Sequence, residues 1–446
     1  MIERNKIHNG NALEILKTFP DESISMCVTS PPYYNLRTYH ADGQIGIEKT
    51  PEEYTERLVE VFREVKRVLR NDGVFWLNLG DSYASGKGTC FNPGGNERSF
   101  HKSVKDGGNM PLDRGNKSTL KKSGLKPKDL IEIPSQVALA LRSDGWWLRS
   151  RIPWLKRNSM PSSVSDRPSC AVEYVFMLTK SPQYYYDTYA VRTAPKASSL
   201  ARINQTTFSE QKGGDKDYKK TVRQDMSART TVENFAANPG RNRRDSDSFF
   251  ESWQGLYEVD DEPLGLIVNP KGNKYVHFAT FPSKLIEPLI KSSTSEFGYC
   301  PGCGAPYKRI IKKGEPDEAW KAECGADANG EYAGKSEKWL KQDELGKNTY
   351  TGFNARWRKT QQNASDVKRR ILAGMCGSTT VGWEQTCTCK LKPNQKPVRG
   401  IVLDPFMGSG TTALVATQFG HDYIGIDLNP DYVKIAEKRV SELIRG

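Results

Sequence analysis

A glycine turn lying almost at the end of the chain limits what this sequence can fold into. Arg399-Gly400-Ile401-Val402-Leu403-Asp404 reads as a short buried strand, Gly408-Ser409-Gly410 follows it, and Thr412-Ala413-Leu414-Val415-Ala416 opens a helical pattern. Glycines at a strand-to-helix turn allow backbone to approach a ligand closely. Tyr423-Ile424-Gly425-Ile426-Asp427 is a second strand, and it ends in a carboxylate 19 residues after Gly408, where ribose hydroxyls could be bound. Alone, Gly-x-Gly is also only a tight turn. A triphosphate-binding loop needs a lysine beside its Ser or Thr, and Thr411-Thr412 has none. A nicotinamide-binding fold places its glycine turn early, whereas only 36 of the 446 residues follow Gly410. The missing strands must therefore come from upstream. The predicted fold is a Rossmann-like α/β sheet cut open near Asp427, with its later half moved to the front.

The upstream chain supplies that alternation. Ser25 to Thr29 is an apolar strand running into Ser30-Pro31-Pro32-Tyr33, Glu52 to Leu69 has helical apolar spacing, and Asn71-Asp72-Gly73 turns it into the strand Val74 to Leu79. Ile133 to Leu141 reads as a helix, Trp146 to Lys156 and Tyr174 to Leu178 as strands, and Asp431 to Ile444 as the last helix. Ser30 to Tyr33 should thus project from the carboxyl edge of the sheet, stiffened by two prolines. Read alone, it is equally a rigid turn.

Only 36% of the residues are apolar, so a compact core carrying polar insertions is expected. The net charge of +13, with 19 Tyr and 9 Trp, suits a polyanion and unstacked bases. No run approaches the about 20 apolar residues of a membrane span, and Met1 to Lys6 lacks a secretory pattern, which predicts a cytoplasmic protein. Nine cysteines, four of them at Cys300, Cys303, Cys387 and Cys389, point in a reducing compartment to a metal before disulfides. Cys300-Pro301-Gly302-Cys303 is a two-thiolate knuckle, and Cys387-Thr388-Cys389 would complete four ligands for a structural zinc with no open position. Cys324 and Cys376 are alternative ligands, free thiols are the bland reading, and Cys27 reads as a small core residue.

Taken in order, these motifs resemble the β-group of bacterial DNA amino-methyltransferases, with Thr29 to Tyr33 similar to its catalytic motif and Asp404 to Thr412 to its cofactor motif. Further similarity lies in Gly10-Asn11-Ala12-Leu13, Asn78 to Tyr83, Gly145 to Arg149, Trp154 to Pro161 and His277 to Leu285, so that it covers residues 5 to 190 and 270 to 446. The resemblance implies a methyltransferase sheet, circularly permuted in motif order. It divides the chain into a catalytic half at 1–190 with an insertion at 85–128, a target-recognition region at 191–265 and a cofactor-closing segment at 266–298. A zinc-binding insertion at 299–395 and a cofactor half at 396–446 complete the division.

It also implies S-adenosylmethionine as cofactor, held by Asn11, Phe281, Ser283, Asp404, Phe406, Gly408, Gly410, Thr411 and Asp427, although the family often has Asp where this chain has Asn11. Ser30, Pro31, Pro32 and Tyr33 would form the catalytic centre. Ser30 and the Pro31 carbonyl would accept hydrogen bonds from the exocyclic amine of a flipped base, and Tyr33 or Tyr34 would stack on it. Ser at position 30 favours cytosine N4, with adenine N6 as the alternative; an inactive DNA-binding protein and an RNA methyltransferase are the rivals. The implied partners are double-stranded DNA, a cognate restriction nuclease and a second copy of the chain in a homodimer, with no membrane.

Overall fold

The computed structural model describes residues 2–35, 43–84, 125–156, 166–167, 170–191, 281–312, 379–392 and 394–445, with backbone alone at 258–259, 262–263 and 266–267. In chain order the elements begin with β1 (Lys6–Asn9), α1 (Ala12–Lys17), β2 (Ile24–Thr29), α2 (Pro51–Val68), β3 (Leu69–Leu79) and α3 (Ile133–Ser143). Then come β4 (Trp147–Leu155), β5 (Val172–Thr179), β6 (Glu258–Val259), β7 (Glu262–Pro263), β8 (Leu266–Ile267) and α4 (Ser283–Ser293). The chain finishes with β9 (Tyr307–Lys312), β10 (Thr379–Gln385), β11 (Ile401–Asp404), α5 (Thr411–Gln418), β12 (Asp422–Asp427) and α6 (Pro430–Arg445).

Eight strands form one sheet in the order β1-β12-β11-β2-β3-β5-β4-β8. Neighbours run parallel except β5, which is antiparallel to both β3 and β4. The two strands flanking the glycine turn therefore lie between β1 and β2, with Lys6 opposite Ile424 and Leu403 opposite Cys27. Successive side chains of a strand point to opposite faces, and β3 shows it: Phe75, Leu77 and Leu79 enter one apolar cluster, Val74 and Trp76 the other. The first cluster packs under α1, α2 and α3 through Leu16, Leu58, Phe62 and Val137. The second packs under α4, α5 and α6 through Leu285, Ala413 and Ala436. Helices thus cover both faces, as a parallel sheet requires.

Asn71-Asp72-Gly73 does not end an element as its composition predicts. It is absorbed in β3 as a bulge, since Ile24 pairs with Leu69 while Met26 pairs with Val74. The helix before it stops because Leu69 takes extended backbone, φ −70° and ψ 137°.

The chain divides into two compact units, one of Met1–Val191, Arg243–Lys308 and Gln385–Gly446, the other of Arg192–Asn242 and Arg309–Glu384. In the second, the described residues belong to the ribbon of β9 and β10, where Arg309 donates to Thr380 Oγ1 at 2.8 Å and lies over the Trp383 ring. Most of the insertion at 85–128 and the side chains of the region at 191–265 lie outside the described residues, except Val191. So do Cys324 and Cys376. Among the described residues no helix is long and apolar enough to cross a membrane.

Candidate active site

Both motifs meet at the carboxyl edge of the sheet, and Asp404 joins them. Its Oδ1 accepts from Thr29 Oγ1 at 2.5 Å and from the Phe406 amide at 3.0 Å, and its Oδ2 accepts from Thr412 Oγ1 at 2.6 Å. The side chain is buried, and desolvation pushes its pKa up to about 6 against the lowering effect of the Thr29, Thr412 and Phe406 bonds. Expected as a cofactor ligand, Asp404 has both oxygens engaged inside the protein. It fixes the strand that ends in Ser30 to the turn and helix of the glycine motif.

The turn itself needs its glycines for two different reasons. Gly408 and Gly410 have φ of +54° and +83°, a region costly for residues with a Cβ. At Gly410 a Cβ would stand 2.7 Å from Ala436 Cβ and 2.9 Å from its Cα, so the missing side chain lets α6 pack closely against the turn. Arg439 of α6 reaches back to the Ser409 carbonyl and to its Oγ at 2.7 Å. Thr411 is the buried first residue of α5, and Phe406 packs edge-on to Phe62.

Asp427 ends β12 beside this turn. It accepts from the Gly408 amide at 2.7 Å and from the Asn429 amide at 2.8 Å, one on each oxygen, which leaves lone pairs for hydroxyl donors. Desolvation raises its pKa to about 6, against those two bonds. Gly10 donates to the Asp427 carbonyl at 3.0 Å, which brings Asn11 to the same edge. Asn11 caps α1: its Oδ1 accepts from the amides of Leu13 at 2.9 Å and Glu14 at 3.4 Å. Phe281 is buried in the apolar cluster that also holds Met407, and Ser283 opens α4 without capping it.

At the other motif, the parity of the strands places Ser30, Asn78 and Glu173 on one face: they continue Val28, Trp76 and Val175 of the second cluster. Ser30 Oγ lies 3.3 Å from Tyr33 Oη and 3.4 Å from Asn78 Nδ2. Tyr33 Oη donates to Glu173 Oε2 at 2.7 Å and accepts from Asn78 Nδ2 at 2.8 Å. Burial and the neighbouring Glu173 carboxylate hold the Tyr33 hydroxyl well above its ordinary pKa. Asn78 Nδ2 also donates to Glu173 Oε2 at 3.0 Å, while its Oδ1 is buried without a partner. Glu173 Oε1 pairs with Lys156 Nζ, itself 4.3 Å from the centre of the Trp154 ring. Pro31 is buried, and the Pro32 carbonyl accepts from Tyr54 Oη at 2.8 Å. Tyr34 is a core residue, 4% exposed and 5.5 Å from the Tyr54 ring, so it is not the stacking residue.

Glu173, Lys156 and the Thr29–Asp404–Thr412 clamp escaped the reading of the sequence as functional groups. A usable signal was present: a glutamate between Val172 and Tyr174 in a strand otherwise apolar, with a lysine closing the neighbouring strand.

Away from this edge, Cys300, Cys303, Cys387 and Cys389 come together, all four Sγ atoms within 4.8 Å of one another. Zinc at the usual Zn–S bond length separates tetrahedral sulfurs by about 3.8 Å, so the cluster fits such an ion with a small contraction. Gly304, at φ +73°, makes the knuckle turn and donates to the Cys300 carbonyl at 2.7 Å. Gln385 Nε2 donates to Cys387 Sγ at 3.0 Å, and Tyr299 pairs with Val398, three residues before β11.

A family model described as DNA methylase matches residues 24–300 and 388–438. Among curated proteins, the Type II methyltransferase M.Cfr9I of Citrobacter freundii is 30% identical, the alignment covering 97% of this chain and 87% of the relative. The Type II methyltransferase M.SfiI of Streptomyces fimbriatus is also 30% identical, over 96% of this chain and 89% of the relative. Among solved structures, PvuII DNA methyltransferase (cytosine-N4-specific) aligns with 14% identity and a TM-score of 0.43, covering 100% of this chain and 93% of that one.

Proposed function

This chain belongs to the DNA methylase family of S-adenosylmethionine-dependent amino-methyltransferases, and within it we propose that the enzyme methylates the N4 amine of a cytosine flipped out of duplex DNA. The observation that carries the reading is Ser30, which stands at the carboxyl edge where Asp404 ties the catalytic strand to the cofactor turn.

The cofactor, when bound, supplies an electrophilic sulfonium methyl. Asp427 would hold the ribose, and Gly408, Phe406, Phe281 and Ser283 would line the remainder. An exocyclic amine is a weak nucleophile because its lone pair is delocalised into the ring. Ser30 Oγ and the Pro31 carbonyl, by accepting its N–H bonds, turn that lone pair out of conjugation and towards the methyl group. The nitrogen needs no prior deprotonation; its surplus proton leaves after it has become cationic. The amine is the attacking group, so no cysteine nucleophile is needed, in keeping with Cys27 buried in the core.

Ser at position 30 supports cytosine over adenine, because the similar motif of the family carries Asp or Asn more often when adenine is the target. Nucleoside mass spectrometry of duplex DNA treated with the enzyme is expected to show N4-methylcytosine; N6-methyladenine in its place would overturn the assignment. The placement of β11 and β12 between β1 and β2 supports reading the fold as a circular permutation of a methyltransferase sheet. The geometry of the four cysteines supports a structural zinc.

Cofactor affinity should depend on pH. Asp427 can accept from ribose hydroxyls on both oxygens only when ionised, and Asp404 holds its three donors best in the same state. Both titrate near about 6. Affinity measured by calorimetry is therefore expected to be flat from pH 8 to 7 and to fall from pH 7 to 5. Asp427→Asn should weaken binding about tenfold at pH 8, the worth of one charge-assisted hydrogen bond, and leave only the shallower fall due to Asp404. Unchanged wild-type affinity down to pH 5 would refute the role of these carboxylates.

A further inference from the structure

We infer that Glu173 is a positioning residue for methyl transfer: through Tyr33 it sets the direction of the hydrogen bonds at Ser30, so that Ser30 meets the target amine as an acceptor. The inference rests on the reading of Ser30 given above.

A hydroxyl has one proton to give and two lone pairs to receive. Which neighbour takes the proton decides what it presents to a ligand. An ionised carboxylate cannot donate, so Tyr33 Oη must give its proton to Glu173 Oε2, 2.7 Å away. The Tyr33 lone pairs are then left to accept, one from Asn78 Nδ2 at 2.8 Å and one from Ser30 Oγ at 3.3 Å. With its proton directed towards Tyr33, Ser30 offers lone pairs to whatever approaches its open side. Asn78 Nδ2 also lies 3.4 Å from Ser30 Oγ, but it has two hydrogens and its shorter contacts to Tyr33 Oη and Glu173 Oε2 take them, so the proton of Ser30 is directed by Tyr33.

Lys156 secures the starting point of this chain. Glu173 is 3% exposed, and Lys156 Nζ pairs with its Oε1 while the Asn78 amide donates to its Oε2, so the carboxylate is held facing Tyr33 as an acceptor. The geometry behind Tyr33 is tight: a Cβ at Gly80 would stand 2.7 Å from the Tyr33 ring and 3.3 Å from the Glu173 carboxyl carbon, so ring and carboxylate are held in register.

The test compares Glu173→Gln, which keeps shape and replaces an acceptor by a group that can donate, with Tyr33→Phe, which removes only the linking hydroxyl. Single-turnover methylation of a duplex oligonucleotide with labelled S-adenosylmethionine reads the transfer step, and equilibrium titrations read DNA and cofactor binding. Each variant is expected to slow transfer at least tenfold while both dissociation constants stay within twofold. The double variant should be no slower than the slower single one, because both cut the same chain. Transfer within twofold of wild type in either variant, additive losses in the double variant, or losses confined to binding would overturn the inference. Ser30→Ala separates the two levels: a dead Ser30→Ala beside a fully active Glu173→Gln refutes Glu173 alone, whereas an active Ser30→Ala refutes the reading beneath it.

Discussion

Ser30→Ala is expected to lower the rate of methyl transfer by about 10²–10³-fold while leaving the fold and cofactor binding intact. Removing one oriented hydrogen-bond partner at a reacting centre has costs of that size, about 3–4 kcal/mol in the barrier. The loss should fall on the transfer step, since Ser30 is a partner of the amine and the ribose is assigned to Asp427. Folding should be spared because the strong anchors of the segment lie elsewhere. Thr29 is held by Asp404, the Pro32 carbonyl by Tyr54, and Tyr33 by Glu173 and Asn78. Rapid-quench measurement of transfer, beside a cofactor titration and a melting curve, checks all three statements. A variant transferring at the wild-type rate would remove Ser30 from the chemistry.

Loss of the zinc proposed for the four cysteines should be the largest single blow to stability. One tetrathiolate ion would cross-link Cys303 to Cys387 across the 83 residues between them. Closing a loop of that length stabilises by about 4–5 kcal/mol on the chain-entropy estimate, and at the usual entropy of unfolding for a chain of 446 residues this is a shift of roughly 5 °C in Tm. The knuckle is also tied to the approach to β11, through Tyr299 paired with Val398 and packed on Gly400. Elemental analysis is expected to find one zinc per chain in the wild type and none in the Cys300→Ser, Cys303→Ser variant, whose melting temperature should drop accordingly. Four thiolates would leave no position for a water, which gives the proposed ion a structural part. A wild-type protein purified without metal, melting as the variant does, would dispose of the site.

Most of the core was legible because parallel strands buried on both faces read as short apolar runs, and helices such as Pro51–Val68 carry a clear stripe. Chain length after Gly410 even indicated where the remaining strands had to come from. The boundary at Asn71-Asp72-Gly73 was misleading because turn-forming residues also make bulges, and only the partner strand distinguishes them. The motif residues were visible in sequence, but their contacts were not: Asp404 accepts from Thr29, which lies 375 positions away. Glu173 carried no motif of its own, and its pairing with Lys156 arises from the register of β4 against β5, which composition cannot specify.

The strand order has a consequence for how the protein is made. Among the described residues β1 is hydrogen-bonded in the sheet to β12 alone, and Arg4 and Asp422, which form an ion pair at that edge, are 418 residues apart. At the usual pace of translation the first strand emerges about 20–80 s before its partner exists. β2 likewise waits for β11 on one side. The nascent chain must therefore keep the apolar edge of β2 uncovered, and β1 without its neighbour, until β11 and β12 have left the ribosome.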